Sequence, residues 1–137
     1  MKKTVFLAIV ISLVIASCSK SNDLTVNWIG NYSYTGGVDT INRISVSRVN
    51  DNTVQMQLQV SYNNGSTFST YTTLSKVALS STTAGSINEY GTIAGYGSNI
   101  FHYVGNAALS GNNLTVSATY TDTSTLVSKP YYFLGTK

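Results

Sequence analysis

Val54, Met56, Leu58, Val60 and Tyr62 alternate residue by residue with Gln55, Gln57, Gln59 and Ser61. Only an extended strand with one buried face and one wet face reads this way, because successive side chains in a strand point to opposite sides. Asn113 to Thr121 repeats the pattern, with Leu114, Val116, Ala118 and Tyr120 set against Thr115, Ser117 and Thr119. Ten tyrosines, a single proline and a scarcity of strong helix formers extend the strand preference over most of the chain. Asn50-Asp51-Asn52, Asn63-Asn64-Gly65-Ser66 and Ser110-Gly111-Asn112-Asn113 suit left-handed or primed turns, so neighbouring strands join directly.

These signals predict strands near 26–35, 40–49, 53–62, 67–74, 76–81, 86–94, 99–109, 113–121 and 126–136. Strands joined by tight turns with no helical crossover form an antiparallel meander. Its two exposed edges are most simply removed when the last strand curls round to meet the first. The expected fold is therefore all-β, a small up-and-down barrel of about eight strands, with an open sandwich as the alternative. Gly91, Gly95, Gly97 and Gly105 lie in or beside strand-like segments and mark bends or bulges. Pro130 cannot donate to a ladder and belongs at a strand start, a bulge or an edge.

The N-terminus carries a separate signal. Lys2 and Lys3 precede a stretch from Val5 to Ala16 broken only by Ser12. As a helix it spans roughly 18 Å, short of the ~30 Å hydrocarbon core, which makes it a signal h-region and not a permanent span. Ile15-Ala16-Ser17-Cys18 resembles a bacterial lipobox. The resemblance implies a lipoprotein signal peptide over 1–17, cleavage before Cys18, and acyl chains such as palmitate on that residue. The partner so implied is a membrane, held through covalent lipid on Cys18. Ser19 stands where an aspartate would mark inner-membrane retention, which implies the outer membrane of a bacterial envelope. Residues 18–25 then form a polar tether, and 26–137 a single domain.

The formal charge of +3 includes Lys2 and Lys3, and without them the balance falls to about +1. Nothing in it points to nucleic acid. Cys18 is the only cysteine, so the fold has no internal disulfide.

Four segments resemble the small lipocalin-like lipoproteins of Bacteroidota. They are Trp28-Ile29-Gly30-Asn31-Tyr32, Asn52-Thr53-Val54, Leu109-Ser110-Gly111-Asn112-Asn113-Leu114-Thr115-Val116 and Phe133-Leu134-Gly135-Thr136-Lys137. The resemblance implies a barrel and an envelope location. True lipocalins begin Gly-x-Trp, whereas here Trp28 precedes Gly30.

Catalytic chemistry finds few candidates. His102 is the only histidine, so sites needing several imidazoles are excluded, as is a cysteine zinc site. It alternates against Phe101 and Tyr103 and so reads as a surface residue. Gly91 to Gly97 has the glycines of a phosphate loop but no helix to follow it. Asp51 and Asp122 sit in turns, where aspartate serves the backbone, and Asp39 follows Gly36-Gly37 at the start of a strand. Glu89 shares an alternation face with Ile87, Gly91 and Ile93. It either points inward as a ligand-facing carboxylate or, the favoured reading, is turned outward by a bulge at Gly91. No catalytic residue, metal or cofactor is expected.

The aromatic residues carry the binding hypothesis. Trp28, Tyr32 and Tyr34 share one face of the first predicted strand, and Tyr62, Phe101, Tyr103 and Tyr120 lie on the apolar faces of theirs. Either these rings fill the lumen, or Trp28, Tyr32, Tyr34, Tyr62, Glu89, Tyr103 and Tyr120 line a site for a small apolar or glycan-like ligand. The protein is thus expected to be a non-catalytic envelope lipoprotein that binds such a ligand. The alternative is a structural role in contact with another envelope protein.

Overall fold

The computed structural model describes residues 22–137. Its eight strands are β1 Gly30–Gly37, β2 Thr40–Asn50, β3 Thr53–Ser61, β4 Ser69–Leu79, β5 Ala84–Thr92, β6 Ile100–Ser110, β7 Asn113–Asp122 and β8 Ser128–Thr136. Each pairs antiparallel with the next, and β8 returns to β1 to close a barrel. The meander, its closure and the strand number agree with the expectation from alternation and turns. Asn64, Gly65 and Gly111 adopt positive φ in the hairpins expected to need it. The lipobox, Cys18 and the signal segment lie outside the described residues.

Alternation places Val54, Met56 and Leu58 of β3, and Leu114, Val116 and Ala118 of β7, in the lumen. They meet Ile44, Leu74, Ile87, Phe101, Tyr103 and Phe133 in one continuous core.

β4 corrects the sequence reading, which split it into separate strands at 67–74 and 76–81. Between Val54↔Val77 and Met56↔Leu74 the ladder shifts register, and Ser75 and Lys76 both face solvent. This bulge inverts the alternation without ending the strand, so a strictly period-two reading finds two strands. A second shift, between Leu58↔Thr72 and Gln59↔Thr70, leaves Tyr71 as the extra residue. The ladder from β4 to β5 is confined to Ala78↔Ser86 and Leu79↔Gly85, whereas β5 and β6 pair without interruption from Ala84↔Ala108 to Thr92↔Ile100.

The first strand also differs from the expected 26–35. Asp23 Oδ1 accepts from the backbone N–H of Thr25 at 2.9 Å and its hydroxyl at 2.6 Å, starting a turn closed by Trp28 N–H to Thr25 O at 2.8 Å. The turn docks on one end of the barrel through Leu24 N–H to Asp51 O at 2.7 Å and an Arg48–Asp23 ion pair at 3.1 Å. Thr25 is buried and Leu24 packs on the core, so the folded unit includes residues expected in the tether. Trp28 is fully buried there, with Gly85 leaving space beside its ring. That end of the barrel is plugged.

Candidate functional site

The opposite end is lined by tyrosines. A cavity of about 290 Å³ lies between Leu58, Tyr71, Ile93, Tyr96, Tyr103, Tyr120 and Tyr131. Tyr103 and Tyr120 reach it by ordinary alternation as cross-strand partners on β6 and β7, their rings stacked at 5.8 Å. Tyr71 reaches it through the second β4 bulge, which turns it inward beside Thr72. Tyr131 comes from β8 in phase with Phe133 and Gly135. Tyr96, from the loop after β5, stands edge-on to Phe101 at 5.6 Å and forms the lip.

Polar contacts fix the rings. Tyr103 Oη lies 3.2 Å from Thr72 Oγ1, which is also 3.2 Å from the Thr92 carbonyl oxygen. Tyr71 and Tyr131 hydroxyls approach to 3.5 Å. Burial pushes the hydroxyls of Tyr131, Tyr71 and Tyr103 above the ordinary tyrosine range. They remain neutral groups that both donate and accept, set on apolar walls.

The raised values give the barrel a pH limit. In the unfolded chain these tyrosines ionise near 10.0, and in the barrel only at higher pH. The folded state therefore favours the neutral form, and the stability so gained is whole below pH 10 and is lost as the pH climbs through the folded values. Urea midpoints between about pH 8 and about pH 11.5 are expected to fall above pH 10, and less steeply in Tyr131→Phe. An equal fall in both proteins would remove Tyr131 from this role.

The residues expected to bind ligand are not brought together in one place. Tyr103 and Tyr120 line the chamber. Trp28 and Tyr32 do not: both are fully buried at the plugged end, where Tyr32 Oη sits 3.0 Å from the Trp28 carbonyl oxygen. Trp28 precedes β1 and so never shared a strand face with Tyr32 and Tyr34. Tyr62 is corrected as well. β3 ends at Ser61, whose hydroxyl accepts from Gly65 N–H at 2.9 Å, and the turn leaves Tyr62 76% exposed at the rim.

Tyr34 lies on the boundary between β1 and β8, edge-on to Phe133 at 5.4 Å. That boundary is laddered only at Ser33↔Thr136, and Pro130 occupies the part of β8 beyond it, consistent with the expected edge position. Glu89 faces inward, against the favoured outward reading, because β5 keeps its phase through Gly85, Ile87, Glu89 and Gly91. It is half-buried opposite Tyr103, with Oε2 shielded from solvent and without a hydrogen-bond partner among the described residues.

His102 lies on the outer face, stacked on Tyr90 at 4.4 Å with Nε2 2.8 Å from Asn88 Oδ1. Its ring nitrogen is thus engaged by an amide. Among the described residues no cluster of three or more His, Cys, Asp or Glu side chains is placed to hold a metal.

Sequence reasoning missed Tyr71, Tyr96 and Tyr131. Tyr131 and Phe133 share one face of β8 and Tyr132 and Leu134 the other, so both faces look apolar and neither is marked as inner. The chain matches no protein-family model, no curated protein and no solved structure.

Proposed function

We propose that this protein is a non-catalytic, lipid-anchored envelope protein that holds a small neutral ring, carbohydrate or aromatic, in the tyrosine chamber. The observation that carries the reading is the chamber itself: tyrosines converge from β4, β6, β7, β8 and one loop on a space left open to solvent, while the other end of the barrel is plugged. Aromatic faces stack on a ring, and neutral hydroxyls satisfy its polar edge. At about 290 Å³ the space lies just below the roughly 300–1,000 Å³ of pockets for drug-sized ligands, which limits the occupant to about one ring.

The N-terminal turn docks at the plugged end. An anchor at Cys18 would place that end toward the bilayer and the chamber away from it, open to solutes. Cys18→Ser is expected to move the protein from the membrane fraction to the soluble fraction without changing its circular dichroism. Continued membrane attachment would contradict the anchor.

Calorimetric titration with phenol, indole and methyl hexosides tests the chamber. At least one class is expected to bind, and Tyr120→Ala to weaken it roughly threefold to tenfold through loss of one stacking ring. Binding indifferent to Tyr120 would place the ligand elsewhere.

A second reading, contact with another envelope protein, draws on the outer side of the β1–β8 boundary. Tyr132 and Leu134 are exposed there beside Tyr34, next to strand edges with little mutual pairing. Serine at both positions would abolish such contact and leave ring binding intact.

A further inference from the structure

We infer that the mouth of the barrel is a docking surface for a protein, which places an aromatic side chain in the tyrosine chamber and covers the apolar loop tips around it. This rests on the chamber being a ligand site and names what carries the ring into it.

The two ends of the barrel differ in their loops. At the plugged end the hairpin connections 51–52, 80–83 and 111–112 hold only Asp, Asn, Ser, Thr and Gly. The exposed apolar residues there, Val26 and Ile29, come from the N-terminal turn. At the mouth, each of the four connections, 38–39, 62–68, 93–99 and 123–127, exposes a large apolar side chain: Val38, Tyr62, Tyr96, and Leu126 with Val127. Val38 is 93% exposed and Leu126 78%. A lone exposed apolar residue is ordinary, but one at every tip around a single opening makes a rim that marks a contact surface.

Two of these tips run against turn chemistry. A valine occupies the two-residue tip Val38-Asp39, where Asn and Gly are preferred. Leu126 has a φ of 58°, in the left-handed region that leucine enters only with steric strain. Leu126 N–H to Asp122 O at 2.8 Å and Asp122 N–H to Val127 O at 3.0 Å hold it there. Asparagine would suit that backbone better and would expose no hydrocarbon, so the leucine is explained by what its side chain meets outside the fold.

The mouth also offers depressions of side-chain size. Next to the chamber of about 290 Å³, a hollow of about 220 Å³ lies between Tyr96, Phe101, Tyr120, Val127 and Lys129. Tyr96 and Tyr120 stand in the walls of both. Neither space has to open into the other, since neighbouring side chains of one docked surface enter each from solvent. An aromatic anchor in a small pocket, ringed by contacts that exclude water, is the arrangement that carries most of the energy in protein interfaces.

The chemistry selects a protein over the alternatives. A glycan stacks on tyrosine but brings no apolar surface to cover Val38, Leu126 and Val127. Charge disfavours a lipid surface, because the four connections contain no Lys or Arg to meet anionic headgroups and carry one carboxylate, Asp39. Position disfavours it as well. The described residues begin at the plugged end four residues after Cys18, a reach of roughly 14 Å at most. Strands of 8 to 11 residues set the mouth about 20–30 Å farther away. An anchor at Cys18 would therefore turn the mouth from its own membrane toward other envelope components.

The experiment is calorimetric titration of the whole protein, held in phosphatidylcholine nanodiscs, with N-acetyltryptophanamide and with capped pentapeptides Gly-X-Trp-X-Gly in which X is serine or valine. Methyl hexosides serve as the sugar control. The valine peptide is expected to bind about fivefold to tenfold tighter than the serine peptide, because its flanking side chains reach the rim. Val38→Asn with Leu126→Asn, which suits both turns, is expected to erase that gain and leave N-acetyltryptophanamide binding unchanged. Equal binding of the two peptides, or a gain that survives the asparagine variant, would overturn the inference and leave the chamber as a site for a free ring. Binding of methyl hexosides with none of the tryptophan probes would do the same. Binding of no probe would overturn both.

Discussion

Replacing Gly105 with valine is expected to prevent the barrel from folding, and Gly105→Ala to cost roughly 3 kcal/mol or more. A Cβ at this position would lie 2.3 Å from Ser117 O and 2.4 Å from Ala118 Cα, both backbone atoms of the paired strand β7. A flexible side chain could rotate away from such an overlap, but a laddered strand cannot move without breaking its hydrogen bonds. Here β6 and β7 approach so closely that only glycine fits.

Gly91 supplies the control. Its own added Cβ meets nothing nearer than 3.4 Å, so Gly91→Ala is expected to be neutral or to stabilise by about 0.4–1 kcal/mol through a less flexible unfolded chain. Urea unfolding followed by far-ultraviolet circular dichroism distinguishes the two. Similar midpoints for both alanine variants would show that the β6–β7 approach is not as close as described.

Trp28→Ala is expected to lower stability by about 3–5 kcal/mol, a large share of the 5–15 kcal/mol typical of a domain. Trp28 is fully buried, yet it belongs to no strand. Its ring fills the barrel end beside Gly85 and Leu79, where no sheet covers the core. Alanine would remove the largest side chain of the plug and admit water to Leu79, Leu109 and their neighbours. Tyr32 would be affected too, because its hydroxyl is held by the carbonyls of Asn27 and Trp28. A loss under about 1 kcal/mol would mean that the strands alone close that end.

The barrel was legible in the sequence because β3 and β7 bury one face and wet the other, and because asparagine and glycine mark the hairpins. Where those conditions lapse, the reading lapses. The bulge at Ser75–Lys76 inverts phase inside β4, and a period-two pattern has no means of representing an inserted residue. The same effect at Tyr71 hid a wall of the chamber. Trp28 looked like a strand residue because Trp28, Tyr32 and Tyr34 stand at even spacing, whereas the hydrogen bonds of Asp23 to Thr25 start a turn before the strand begins.

Of the candidate site, Tyr103 and Tyr120 were readable because each sits within an unbroken alternation. Glu89 shares an alternation face with Ile87 and faces inward, and the bulge invoked against it lies instead on β4. Exposure at Tyr62 followed from a turn one residue earlier than alternation implied. Whether the rings fill the lumen or line a cavity depended on which barrel end Trp28 occupies, and that is set by tertiary docking of the N-terminal turn. The fold resolves it as both, a filled lower lumen and an open upper chamber.

The chamber as a receptor for a neutral ring is most directly tested by nuclear magnetic resonance of the protein with selectively labelled tyrosine and tryptophan, titrated with the saccharide and phenol probes above. The expected result is progressive shifts in the ring signals of Tyr71, Tyr103, Tyr120 and Tyr131 while the Trp28 indole at the plugged end stays fixed. Shifts confined to Tyr34 and Tyr132 at the β1–β8 boundary, or unchanged tyrosine signals throughout the titration, would contradict it.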